Sequence, residues 1–407
     1  MKKKFKSKFK IINLVHEVEP IVIENTNKKW VIYGKDNMYP QYLVNLSRKT
    51  GLHTAILNKK VMMDISEGFT YEGPTNKLTD DFIKKCNPNE SLYDIGLKCF
   101  TDLEIQGGFY LEPLFNDKGM LIELRHIPFQ NVRTSGLNED GSFKEFYYYE
   151  DWKPYISNHS KIETKKAYKG KPEKSYYYSK KYAVGNIFYP LPGYVGVTLD
   201  IETLSAISTS HNANLKNNFQ PGAIFILKPG PNATDEEIED QIRDIEDQIG
   251  EDGTGAVMLI VKDSRDETPE FSQFEVSDID KRFKDLSKTT ISNIITAHNI
   301  PRVIAGAEIS GSLGGSKEHV EGNIIFYNEY IKKQQEFLLN HFNDLLSKYG
   351  YSTLLINNQM ANPYMYDSTL LKENLTQNEI RELLGYPELE EEQTTQQEDK
   401  KEEDKDD

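Results

Sequence analysis

The stretch GAEISGSLGGSKE, Gly306 to Glu318, has the residue types of a phosphate-binding loop. Glycines would let backbone N–H groups approach phosphate oxygens, and a lysine would pair with them. The spacing does not fit. Counted from Gly311, Ser316 stands where the motif needs the glycine before its lysine, and Glu318 replaces the hydroxyl residue that would hold magnesium. A helical pattern and Pro301, rather than a buried strand, precede it. The eight histidines include no HExxH and no pair at ligand spacing. His298 stands at a helix end just before Pro301, a place for a capping or dipole role. His211 lies on a polar helix, where packing between subunits is its expected use. Asp278 and Asp280 could hold a nuclease metal, but Lys281, Arg282 and Lys284 around them read as a solvated helix face. No G-x-S-x-G elbow occurs. Cys86 and Cys99 form no CxxC, which argues against a disulfide framework or a metal knuckle and for a reducing compartment. The expectation is a protein that is not an enzyme, with no catalytic residue, no metal and no cofactor.

Composition points the same way. The chain has 407 residues, enough for two or three domains. Only 37% are hydrophobic, and the mean hydropathy is -0.63. Such a chain is expected to spread into layers completed by neighbouring copies, or else to carry a disordered tail that lowers the average. No apolar run reaches transmembrane length. MKKKFKSKFK lacks the long apolar segment and cleavage site of a signal peptide and reads as a basic arm, 1–10. The net charge of -15 argues against tight static binding to nucleic acid. It fits either plain solubility or a surface along which a polyanion slides without friction.

The elements that must position the glycine stretch are readable from periodicity. Before it, Ile279, Phe283, Leu286, Ile294 and Ala297 share one helical face, capped by Ser277 or Asp278 and ended at Pro301. After it, Val320, Ile324, Tyr327, Ile331, Leu338, Phe342 and Leu345 form a stripe along one long helix. Earlier, 11–196 reads as mixed α/β. It has helices after Pro40, a helix stopped by Gly107-Gly108, and a hairpin turning at Asn116 to Gly119. The tyrosine runs in EFYYYEDW and EKSYYYSK alternate with polar residues and read as half-buried strands rather than stacking platforms for single-stranded nucleic acid. A polar helix follows at 198–218, with Ile201, Leu204, Ile207, His211 and Leu215 as a thin stripe. On its own it reads as an exposed surface helix, or as one that packs beside copies of itself. Residues 223–275 form a strand–helix–strand–strand insert. GYSTLLINN is a returning strand, and Thr376 with Glu379 caps a short helix. From Glu388 to Asp407 there are eleven acidic and three basic residues, so disorder is expected there.

This order of elements, with the motifs AHNIPRVI, GGFYLEPLFNDKGMLIELRHIPFQNVR and LTQNEIRELLGYPEL, resembles the portal proteins of tailed bacteriophages, of the siphovirus type. The likeness runs from about Trp30 to Leu389 and rests on the combination rather than on any short signature. It implies an α+β portal fold: a wing (11–196), a first stem helix (197–222), a small α/β clip (223–276) and a second stem helix (277–300). A tunnel loop (301–316), a long helix (317–348), a wing return (349–374), a short crown-like helix (375–389) and an acidic tail (390–407) would follow. The tail is short for the family, so a large crown is not expected. By the same resemblance Glu308, Ile309, Ser310, Gly311, Ser312, Leu313, Gly314, Gly315 and Ser316 would face DNA in a channel. Lys281, Arg282, Lys284 and Lys288 would be the phosphate contacts of the stem. The implied assembly is a homo-oligomeric ring of about twelve subunits at one capsid vertex of the virion. Its partners would be the passing double-stranded DNA (not tightly bound), the large terminase, the major capsid protein and a head–tail adaptor, with no membrane. The competing readings are a nucleotide-dependent enzyme using the glycine loop and a ring-forming scaffold with no DNA role.

Overall fold

The structure is a computed structural model. It describes residues 22–23, 29–153, 159–216, 223–227, 258–261, 271–273, 279–306, 322–358 and 376–383. For 22–23, 159, 213–216, 223–227, 258–261, 271–273, 279–283 and 382–383 it describes the backbone alone.

A six-stranded sheet is the platform. Its order is β5 (Leu121–Ile127), β4 (Gly108–Phe115), β9 (Ser175–Lys180), β8 (Glu163–Ala167), β7 (Glu145–Tyr148) and β6 (Val132–Thr134). Neighbours are antiparallel except β8 and β9, which pair in parallel over two residues. β4 is apolar on both faces because both are covered. Tyr110 faces one core, stacking on Tyr178 at 4.3 Å and touching Phe129 and Phe146. Phe109 and Leu111 face a second core, where Phe109 meets Phe337 and Phe342 edge-on. The tyrosine runs are thus strands that fill cores, as their alternation indicates, and Tyr147 and Tyr176 are buried.

Helices cover this sheet. α1 (Tyr39–Leu46) takes Pro40 in its first turn, where the missing N–H costs nothing. α2 (Gly51–Ile65) is capped by Thr50 and α3 (Lys77–Lys84) by Asn76. α4 (Leu92–Gln106) starts in a capping box of Ser91 and Asp94 and ends at Gly107 in the left-handed region. Close approach explains Gly96 on α4: a Cβ there would stand 2.6 Å from the Phe69 ring. β3 (Phe69–Tyr71) pairs with β13 (Leu354–Ile356), which brings the chain after the long helix back to α2 and α4. The short pair β1 (Val22–Ile23) and β2 (Ile32–Tyr33) closes the N-terminal side.

Two helices project from this body. α5 (Thr198–Lys216) leaves it and α6 (Ile279–Ala297) returns to it, with Asn293 donating to Asp200 at 3.1 Å where they meet. Between them lies a three-stranded sheet in the order β11 (Met258–Val261), β10 (Ala223–Leu227), β12 (Phe271–Gln273). The β10–β11 pairing is parallel and needs a crossover, which the helix expected within the strand–helix–strand–strand insert would supply. That helix lies outside the described residues. Of the apolar face expected on α6, the side chains of Ile279 and Phe283 lie outside the described residues, and the described part is buried near the body. Ile294 and Ile295 are in the core, but Leu286 is 45% exposed.

The long helix differs from expectation in one instructive way. Residues 322–326 are α-helical, Tyr327–Ile331 form a π turn, and the helix continues as α7 (Lys332–Leu346). The expected stripe holds at Ile331, Leu338, Phe342 and Leu345, all fully buried, but fails at Ile324, which is 38% exposed. The inward residue there is Phe326. From Phe326 to Ile331 is a step of five, and an i→i+5 turn keeps both on one face where an α turn would not. Beyond β13, α8 (Gln377–Leu383) carries the expected cap, with Glu379 N–H donating to Thr376 Oγ1 at 3.3 Å.

Candidate functional site

The glycine stretch itself, Glu308 to Ser316, lies outside the described residues. Its two stems are described, and they meet. After α6 the chain turns at Asn299 (φ 51°), and the N–H groups of Ile304 and Ala305 donate to Pro301 O at 2.9 and 3.0 Å. Gly322 opens the far stem against this turn. A Cβ there would stand 3.0 Å from Val303 Cγ1 and 3.5 Å from Pro301 Cβ. Whatever path 307–321 follows, its ends are clamped together at the foot of the helix pair.

Two buried polar groupings fix that foot to the body. The first joins α6 to α2. His53 Nδ1 and His298 Nε2 are 2.8 Å apart, and both rings pack on Tyr194. Burial, reinforced by the Lys60 charge, lowers His53 to about 4 and His298 to about 2. Both rings are therefore neutral. This corrects the dipole half of the role expected of His298: a dipole partner must be a cation, and burial keeps this ring, 1% exposed, in its neutral form with a single N–H at ordinary pH. In the unfolded chain both titrate near 6.5. Between that value and about 4 the unfolded state binds protons that the fold refuses, so stability rises with pH across this window and is lost as pH falls through it. Each ring should lose about 2 kcal/mol between about pH 7 and about pH 5, so the pair should lose about 4 kcal/mol. Denaturant midpoints should show this slope, and the doubly substituted H53Q/H298Q chain should flatten it. Equal slopes in both proteins would contradict the assignment.

The second grouping joins the π turn to α2 and α4. Lys60 Nζ lies 3.0 Å from Glu104 Oε2, with side chains 4% and 2% exposed. The Tyr330 hydroxyl donates to both Glu104 oxygens, at 2.7 and 2.9 Å, and Lys60 Nζ stands 3.9 Å from the centre of its ring. Burial alone would raise the Glu104 carboxyl, but Lys60, Lys181 and the Tyr330 hydroxyl outweigh it and hold it below its ordinary value. Asp64, one turn beyond Lys60, is fully buried with neither carboxylate oxygen hydrogen-bonded. Burial and the Glu104 charge push its carboxyl well up. Burial lowers the Lys181 ammonium, against the pull of Glu104 and Asp64. Below this, Gln335 Nε2 donates to Asp64 O at 3.0 Å and Asn358 Oδ1 at 2.8 Å, and Asn358 Nδ2 donates to Tyr327 OH at 2.9 Å. Sealed from water and arranged as ties between elements, these groups hold position.

Of the cations named from the sequence, Lys284 and Lys288 are exposed on α6. Lys281 and Arg282 lie on its first turn, with side chains outside the described residues. His211 is exposed on α5. Among the described residues no group of three or more His, Cys, Asp or Glu side chains is placed to hold a metal. Cys86 and Cys99 are buried free thiols. Sequence reading missed His53, Lys60, Asp64, Glu104 and Tyr330. The available signal was a charge inside an apolar helix face: Lys60 beside Val61 and Leu57, and Glu104 between Leu103 and Ile105.

No protein-family model matches the sequence, and no curated protein matches it. Solved structures do. A chain in the neck of an empty GTA particle, computed with C6 symmetry, is 16% identical. The match covers 86% of this chain and 95% of that one, with a TM-score of 0.56. The neck of the native GTA particle, computed with C12 symmetry, contains a chain that is also 16% identical, over 86% and 95% of the two chains, with a TM-score of 0.52. A HK97-family phage portal protein from Corynebacterium diphtheriae is 9% identical over 82% and 97%, with a TM-score of 0.45. At these identities the neck chains show a shared α+β fold over nearly the whole of both molecules. The α+β class expected from the sequence is thus the class of fold that the chain shares with these neck chains.

Proposed function

We propose that this chain is the portal subunit of a phage-like particle, a ring at one capsid vertex through which double-stranded DNA enters and leaves. The observation that carries the reading is the fold shared, over 86% of this chain and 95% of the other, with a neck chain of particles computed with sixfold and twelvefold symmetry. In this reading α5 and α6 are the stem. The insert with β10, β11 and β12 is the clip that docks the large terminase and then the head–tail adaptor. The body around the six-stranded sheet is the wing that meets the capsid protein. Glu308 to Ser316 reach into the bore, with Gly311, Gly314 and Gly315 supplying mobility. Lys284 and Lys288 offer few, separated phosphate contacts on an acidic protein, which favours passage over capture. The half-exposed Leu286 and Leu199 on the two stem helices suit coverage by neighbouring copies. The protein moves no bonds; the terminase would supply the hydrolysis. Among the described residues no helix is long and apolar enough to cross a membrane.

The test has two readouts. Purified protein imaged down its symmetry axis is expected to show rings of about twelve subunits with a central opening. Deleting Gly311 to Gly315 is expected to leave those rings intact while impairing DNA filling or retention. Absence of a central opening, or packaging unaffected by the deletion, would overturn the assignment.

A further inference from the structure

Two exposed apolar features have no partner among the described residues, and they complement each other. The first is a knob. After β9 the chain makes a tight turn in which Asn186 N–H donates to Ala183 O at 3.2 Å, with Gly185 at φ 80°. This turn presents Tyr182, Val184 and Ile187, which are 85%, 81% and 64% exposed. It is held firmly at both ends. Lys181 N–H donates to Gly107 O at 2.9 Å, and Phe188 and Tyr189 are in the core. Three adjacent apolar side chains on a rigid tip cost hydration free energy unless something covers them.

The second is a groove of about 260 Å³ at the foot of the helix pair, beside the clamped stems of the glycine stretch. Its walls are Ile295, Ile300, Pro301, Ile325 and Phe326, with the polar Thr296, Asn299 and Glu329 completing the lining. Ile325 is 52% exposed there, and Ile324 next to it 38%. No buried charged group points into it, and it is smaller than the ~300–1,000 Å³ common for small-molecule sites. Its lining suits aliphatic side chains. Lys180 beside the knob and Glu329 at the groove add opposite charges to matched apolar surfaces.

We propose that the Tyr182–Val184–Ile187 knob of one copy seats in the Ile300–Ile325 groove of the next. Knob and groove are different patches of one chain, and neither is covered by any of the described residues, so a contact between them on two copies is head-to-tail. Contacts of that kind close into rings when the rotation between copies permits. The proposal rests on the ring reading and deepens it by naming the contact. It would also place each subunit's knob against the base of its neighbour's glycine stretch.

The test is a pair of cysteines, V184C with I325C, in the full chain. Cys86 and Cys99 are buried, and burial raises both thiols, so they do not compete for oxidation. Mild oxidation of the assembled double variant is expected to give a ladder of linked subunits on a non-reducing gel, while either single variant gives none. Independently, V184D/I187D is expected to weaken assembly at least tenfold and to leave the melting temperature of the monomer unchanged, because both side chains face water there. Rings without a ladder, with the aspartate variant assembling normally, would overturn this contact and leave the ring reading standing; the knob would then serve another partner. A chain that forms no ring at any concentration would remove both.

Discussion

Replacing Lys60 by methionine is expected to lower stability by about 3 kcal/mol or more, because it strands the Glu104 carboxylate in the core. What remains is the Tyr330 hydroxyl and the more distant Lys181, which soften the loss without cancelling it. Glu104→Gln should cost less, since Asp64 can then ionise and take over as the counter-charge to Lys60. The double variant K60M/E104L should recover most of the loss, as a buried pair exchanged for apolar groups of similar size is often neutral. Urea denaturation of the four proteins completes the cycle. A K60M chain as stable as the parent would mean that the pair is not shielded from water. In the ring reading this tie matters beyond stability. It anchors the π turn through Tyr330, so K60M should also loosen the base of the loop at Gly322 and raise proteolytic cleavage between Arg302 and Lys332.

The second large effect is expected at Arg133, which is fully buried without a carboxylate among its hydrogen-bond partners. Its Nε donates to Asn37 Oδ1 at 2.9 Å. Nη1 donates to the carbonyls of Gln130 and Val132 at 3.0 and 2.8 Å, and Nη2 to Asn37 O and Gln41 Oε1 at 2.6 and 3.0 Å. The guanidinium also lies 4.8 Å from the Trp152 ring. Burial lowers its pKa to about 10, which still leaves it charged at neutral pH. Arg133→Met leaves several buried acceptors unpaired, each worth about 1–3 kcal/mol, and should cost about 3–5 kcal/mol in all. Arg133→Lys should rescue little, because an ammonium with three donors cannot span a planar five-donor array. A lysine variant that unfolds at the parental urea concentration would show that charge, not the fork geometry, is what the site requires.

Much of the architecture follows from local rules, which is why it is legible residue by residue. Ser91 and Asp94 start a helix and Gly107 stops it. Pro301 forbids continuation of α6, and Asn116 to Gly119 turn the hairpin. Alternation in the tyrosine runs marks strands because the period of side chains along a strand is two, whatever the rest of the chain does. The α+β fold shared with the neck chains was legible from element order and local motifs together, since order survives when identity has fallen to 16%.

What the tertiary structure alone decided is which polar groups the core encloses and where a regular helix must break. Lys60, Asp64, Glu104, His53 and His298 look like surface residues in a one-dimensional reading. Their pairing depends on partners far along the chain: Lys60 and Glu104 are 44 residues apart, and His53 and His298 are 245 apart. The π turn is of the same kind: periodicity assumes a constant 3.6 residues per turn, and only packing against α2 and α4 shows that Phe326, not Ile324, points inward. Local backbone preferences are properties of a few adjacent residues and can be read from them. Desolvation and register depend on what lies opposite, and they exist only once the chain has folded.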